Sequence, residues 1–165
     1  IILYTPFLKK IPLIGNITVS LLLSMVFIVT SVYITNAISI LLYPLIIFSF
    51  ILMLIREIVK DIQDIEGDKK NNVHTLPVIF GISFSINLIA CLVFILFIFT
   101  IIAFYLYENY NFLYLINVLI FIHLPLFWHV YELHKNKSST YCIYLSKVLK
   151  LITIFGVIVI YLTTI

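Results

Sequence analysis

Five stretches of this chain, at about residues 17–35, 38–55, 82–107, 112–131 and 148–165, contain at most one charged side chain each. Each approaches or exceeds the roughly 20 apolar residues that a helix needs to cross the hydrocarbon core of a bilayer. No water reaches the backbone there, so an isolated span must bond its own amides as a helix. Composition agrees: 64% of residues are hydrophobic and 10% charged, with a mean hydropathy of +1.23, far from the range of water-soluble domains. The fold class is therefore an all-α membrane protein, a multi-span transmembrane helical bundle of five spans. No soluble domain is left between them. Membrane lipids are the expected surroundings, and nucleic acid is not an expected partner.

The charges predict an orientation. If all five spans cross, the N-terminal segment and the 56–81 and 132–147 connections share one side, and all ten Lys and Arg lie there. The other side has only Glu108. The positive-inside bias places the charged side in the cytoplasm, with the chain as a multi-pass protein of a cell inner membrane. The first two spans, joined through the uncharged Thr35 and Asn36, are expected to form a tight helical hairpin. Cys91 lies in a span and Cys142 in a cytoplasmic connection, too far apart to pair in a compartment that disfavours disulfides. The chain begins Ile1-Ile2-Leu3, which reads as the C-terminal part of a longer polypeptide.

Residues 56–81 are the exception to this greasiness. They hold five of the seven acidic residues (Glu57, Asp61, Asp64, Glu66, Asp68) and four of the ten basic ones (Arg56, Lys60, Lys69, Lys70). On a helix, Asp61, Asp64 and Asp68 fall within about 60° of arc, and Glu57 joins them one turn earlier. Carboxylates gathered on one face repel unless a cation intervenes. Mg²⁺ suits such a set, because it takes oxygen ligands and is held by one or two carboxylates while phosphates of a substrate complete the shell. Gly67 is expected to end or kink the helix just before Asp68. The competing reading is a solvated charged loop with intrahelical ion pairs such as Glu57–Lys60. The one-faced spacing favours the cation site.

Other polar residues carry weaker signals. Tyr4, Lys9, Lys10 and Asn16 lie in a segment interrupted by Pro6 and Pro12, either as interfacial anchors or as a cationic clamp for an anionic substrate. Ser20, Ser24, Thr30 and Ser31 suit close helix packing, and Asn87 suits a hydrogen bond between helices. His129 and His134 are five residues apart, about 140° around a helix, and so are not expected to chelate one ion. Residues 132–147 are expected to be a polar, mobile loop.

With these stretches in hand, the chain resembles the C-terminal half of the UbiA superfamily of intramembrane prenyltransferases. Asp61-x-x-Asp64-x-x-Gly67-Asp68 followed by Thr75-Leu76-Pro77-x-x-x-Gly81 is similar to the family's second aspartate-rich motif and its tail. Tyr4, Lys9-Lys10 and Gly15-Asn16 are similar to the loop between its fourth and fifth helices. Members have nine transmembrane helices, five of them after that loop. Within the family the motif looks most like the geranylgeranylglycerol-phosphate geranylgeranyltransferase branch. The resemblance implies Mg²⁺-dependent transfer of a prenyl group from a prenyl diphosphate to a lipid or aromatic acceptor, with release of pyrophosphate. It makes Asp61, Asp64 and Asp68 the catalytic metal ligands, and Tyr4, Lys9, Lys10, Asn16, Lys60 and Lys69 the diphosphate-binding residues.

Three departures stand out. The family's first aspartate-rich motif is not in these residues, so residues 1–165 alone are expected to be inactive. Gln63 stands where relatives often have an acid. Asn72 replaces a usual glycine and His74 a usual basic residue, although Asn tolerates left-handed backbone. Two alternatives remain: a CDP-alcohol phosphotransferase-like enzyme, whose Asp-Gly and Ala-Arg pairs are missing here, and a non-catalytic scaffold or transporter half. Transporters usually place ionisable residues at mid-membrane, and these spans read as nearly devoid of them.

Overall fold

In a computed structural model describing residues 11–36, 42–107 and 110–163, every regular element is helical. Helix α1 (Ile14–Thr35) starts just after Pro12 and ends at Asn36, whose left-handed backbone (φ 54°) closes the last turn onto the Val32 carbonyl. Helix α2 (Leu42–Gln63) follows, then the short α3 (Ile65–Lys70) and α4 (Leu76–Ile79). Helix α5 (Ile82–Leu106) crosses back. Helix α6 (Phe112–Val118) continues through a π-helical turn (Leu119–His123) into α7 (Leu124–Lys135), and α8 (Ser139–Thr163) completes the bundle. Five of these paths are long and apolar enough to cross a membrane, as expected: α1, α2, α5, α6 through α7, and α8. The chain is an integral membrane protein.

Helix α2 is the axis. Leu52, Ile55, Ile58, Val59 and Ile62 are all but completely buried, and α1, α5 and α8 pack around them. Helix α1 meets it through the small buried side chains Ser20 and Ser24, whose hydroxyls return to their own backbone at Asn16 and Leu21, while Leu22, Val26 and Val29 face outward. Ser31 is buried as well, but Thr30 is exposed and takes no part in this packing. Helix α5 is apolar on all sides and α8 is so beyond Lys150, yet each buries one seam. On α5 it is Ile86, Ile89, Val93, Leu96, Thr100 and Ala103; on α8 it is Cys142, Leu145, Leu149 and Ile152. Steps of three and four alternate in both, the spacing of a helix that touches its neighbours along a narrow line. Gly156 extends the α8 seam, and the Phe48 ring of α2 occupies the space that a Cβ there would need.

The π-helical turn has a local cause. Pro125, at the start of α7, has no amide hydrogen and its ring crowds the carbonyl four residues earlier. Widening the preceding turn relieves that crowding.

Three boundaries differ from the sequence reading. Helix α2 continues to Gln63, past the charged Arg56, Glu57, Lys60 and Asp61, because a helix needs backbone bonds rather than apolar side chains once it leaves the bilayer. The break falls at Asp64 (φ −97°, ψ 10°) rather than at Gly67, which lies inside α3. The 132–147 stretch is not a loop: α7 runs to Lys135 and α8 starts at Ser139, leaving three linking residues. Ser138 Oγ accepts from the Tyr141 N–H (3.3 Å), an N-cap that hydropathy does not register.

Candidate active site

Four helix ends converge at one end of the bundle. Ser139 Oγ donates to the Gln63 carbonyl (3.1 Å), tying the start of α8 to the end of α2, and Lys137 Nζ donates to Ser83 Oγ (3.0 Å) at the start of α5. The first turn of α1 joins them. There Asn16 Nδ2 donates to Asp61 Oδ2 at 2.7 Å, linking residues 45 apart in sequence. Asp61 is half-buried at this contact because its neighbours Ile58 and Ile62 fix that part of α2 in the core.

Asp68 reaches the same site by another route. After α3 the chain turns back through Asn72, whose φ of 52° is the left-handed geometry anticipated for that residue. The Val73 N–H bonds the Asp68 carbonyl (2.9 Å), and Thr75 Oγ1 donates to Asp68 Oδ2 (3.1 Å). Asp68 and Thr75 are both buried, with Leu76 and Pro77 anchoring the segment beneath them. Asp61 feels the negative charges of Asp68 and Glu57 and the positive charge of Lys60.

The distribution of counter-charges divides the carboxylates. Glu57 takes both nearby cations, Arg56 Nη1 at 2.9 Å and Lys60 Nζ at 3.1 Å. Asp61, Asp64 and Asp68 have no ion-pair partner among the described residues. Asp61 and Asp68 each use one oxygen in a neutral hydrogen bond, and the Oδ1 of each accepts nothing from the described residues. The ion pair of the competing reading thus holds for Glu57 and Lys60. Asp64 is exposed at the helix break, where its Oδ1 accepts from Gln63 Nε2 at 3.2 Å. Among the described residues no three His, Cys, Asp or Glu side chains form a ready-made metal cluster. Of the three aspartates, the structure brings Asp61 and Asp68 within electrostatic reach of each other. Their donor set fits Mg²⁺: hard carboxylate oxygens, few in number, leaving most of the shell to water and phosphate.

The remaining expected residues scatter. Tyr4, Lys9 and Lys10 lie outside the described residues. Asn16 holds Asp61, Lys60 is engaged by Glu57, and Lys69 lines a separate cavity with Lys137 and Ser83. His129 and His134 have separate partners, Tyr141 (2.9 Å) and Asn87 (3.2 Å), so they do not chelate together and Asn87 does bridge two helices. Both cysteines are free thiols.

Two residues went unread in the sequence. Thr75 was visible only as part of a motif, and its role comes from the fold that returns it to Asp68. His123 is buried within the fourth span, with Nε2 3.0 Å from Thr100 Oγ1, so the spans are not devoid of ionisable groups. A lone histidine in an apolar run was its only signal.

The sequence profile of the UbiA prenyltransferase family matches residues 1–161. A digeranylgeranylglyceryl phosphate synthase of Methanosphaera stadtmanae is 39% identical over 119 residues, covering 72% of this chain and 43% of that protein. A protein of the same name from Methanobrevibacter smithii is 34% identical over 155 residues, covering 90% of this chain and 52% of that one. The chain therefore spans about half the length of the curated relatives it matches. A solved structure, described as giving insights into digeranylgeranylglyceryl phosphate synthase in membranes, superposes with a TM-score of 0.85 at 28% identity, over 98% of this chain and 56% of that one.

Proposed function

The chain belongs to the UbiA prenyltransferase family, and from that premise we propose that it contributes one acidic half of a site for Mg²⁺-dependent prenyl transfer at the membrane. The donor is a prenyl diphosphate. The acceptor we propose is a glycerol phosphate lipid, the class suggested by the relatives' name, with geranylgeranyl transfer to geranylgeranylglycerol phosphate as the specific case. The observation that carries the proposal is Asp61 and Asp68, held by Asn16 and Thr75, with no ion-pair partner among the described residues and one oxygen each that accepts nothing from them.

Each residue has a task in this reading. Asp61 and Asp68 would hold Mg²⁺, while Asp64, exposed at the helix break, stays on the solvent side. Asn16 positions Asp61, and Thr75 positions Asp68. Arg56 and Lys60 neutralise Glu57, which keeps a further negative charge away from the incoming diphosphate. Tyr4, Lys9 and Lys10 are assigned to the diphosphate oxygens, lysine acting as a point charge. The chemistry that Mg²⁺ supplies when bound is charge neutralisation on the diphosphate, which favours its departure. The bond between the allylic carbon and the diphosphate oxygen breaks, and the acceptor hydroxyl oxygen forms the new ether bond. Its proton passes to the released pyrophosphate. The apolar surroundings strengthen these charge interactions and shield the allylic cation from water. The aspartates face the cytoplasm in this proposal, following the positive-inside bias.

The test is transfer of radiolabelled geranylgeranyl diphosphate by the full-length protein that contains these residues, with and without Mg²⁺. Geranylgeranylglycerol phosphate, 4-hydroxybenzoate and dihydroxynaphthoate serve as alternative acceptors. Mg²⁺-dependent ether product with the glycerol phosphate, lost in Asp61→Ala, is expected. Product with an aromatic acid instead would move the acceptor to another branch, and no product from folded protein would leave a non-catalytic relative.

A further inference from the structure

A cavity of about 630 Å³ opens beside the start of α5, and none of Asp61, Asp64 and Asp68 lines it. Two lysines do. Lys69 comes from α3 and Lys137 from the link between α7 and α8, and the fold brings these distant segments to one opening. Neither lysine has an ion-pair partner among the described residues, and no carboxylate lines the cavity. Lys137 Nζ instead leans on Ser83 Oγ (3.0 Å), leaving that hydroxyl's proton for an acceptor.

The local backbone has the same polarity. Gly81, in the positive-φ region (86°), turns the chain into α5, and no side chain caps the helix there. The first amide N–H groups of a helix lack intrahelical partners and carry partial positive charge. An anion at this cavity therefore meets two ammonium groups, a hydroxyl and the start of a 25-residue helix.

The rim selects among anions. Ile79, Phe80 and Phe84 are all exposed, and the two phenylalanine rings sit 5.2 Å apart, centroid to centroid. Cationic groups beside exposed aromatics at the end of a membrane span match the boundary between headgroups and acyl chains. Basic pockets between transmembrane helices take lipid headgroups. We infer that Lys69 and Lys137 form a binding site for the phosphate of an anionic phospholipid, with the lipid's apolar part lying along Phe80 and Phe84. The inference stands apart from the transfer reaction and reassigns Lys69 from the donor diphosphate to a bilayer lipid. It gives a reason for the two lysines to lie at one opening with no acid beside them.

The experiment measures association of spin-labelled phosphatidylglycerol and spin-labelled phosphatidylcholine with the full chain in phosphatidylcholine vesicles. Phosphatidylglycerol should associate more strongly, and K69Q/K137Q should reduce that preference by about fivefold per lysine removed. K69R/K137R should retain it. K147Q/K150Q removes the same charge from α8 and should leave it unchanged. Equal loss in K147Q/K150Q would mean diffuse attraction, and an unchanged preference in K69Q/K137Q would place the lipid elsewhere. Displacement of the label by inorganic phosphate at low concentration would make this a free-anion site. Any of these three results overturns the inference.

Discussion

Two polar clusters share the same end of this bundle, and they are built on opposite plans. In the cluster joining α5, α7 and α8, the imidazoles meet neutral partners: His134 with Asn87 and His129 with Tyr141. In the cluster joining α1, α2 and α3, two partly or fully buried carboxylates keep one oxygen each without a partner among the described residues, and Arg56 and Lys60 are turned to Glu57. The first plan is self-sufficient and holds helices together. The second is incomplete among the described residues, because buried like charges without a counter-charge are costly. Incompleteness of that kind points to a ligand, whereas a polar composition by itself does not.

The comparison breaks most sharply if the wrong cluster proves essential. Asp68→Ala should lower the transfer rate of the full-length protein that contains these residues by about 10²–10³-fold, the loss typical of a group that stabilises charge in the transition state. Helicity should remain as in the unaltered protein, and a rate within a few-fold would remove the aspartate pair from the chemistry. Asn16→Ala touches no ligand directly. It should weaken apparent Mg²⁺ affinity by about 10–100-fold through the loss of orientation at Asp61. Titrating the rate with Mg²⁺ should recover most of the activity at saturation, which separates positioning from ligation. Glu57→Gln frees Arg56 and Lys60 while leaving the pair intact, so a rate change under about threefold is expected. On the other side of the comparison, His134→Ala should cost only about 0.6 kcal/mol, the average for a hydrogen bond between membrane helices. The thermal midpoint in detergent reads that loss, and the transfer rate should not move.

Much of this architecture was legible because hydropathy is a one-dimensional property. The five spans follow from it directly, as does the charged end. Local chemistry was legible too: the Glu57–Lys60 pair lies one turn apart, and Asn72 stands where a left-handed residue was needed. Hydropathy failed wherever a helix outlasts its apolar stretch, as α2 does beyond Ile55 and α8 does before Val148. It failed again at Asp64. The helix was expected to run to Gly67, whereas it breaks at Asp64, which is exposed while Asp61 is half-buried and Asp68 buried. The bonds from Asn16 to Asp61 and from Thr75 to Asp68 depend on how segments return in space, and no spacing rule encodes them. His123 is the clearest case, since its partner Thr100 lies on another span.

The most direct test of the central claim is a Mn²⁺ titration of the full chain followed by electron paramagnetic resonance, with pyrophosphate present to complete the ion's shell. The account predicts that the unaltered protein and His134→Ala bind Mn²⁺ alike, and that Asp61→Asn with Asp68→Asn abolishes the bound signal in a protein that still folds. Undiminished Mn²⁺ binding by that double variant would contradict it, and would return the aspartates to the status of a solvated charged end.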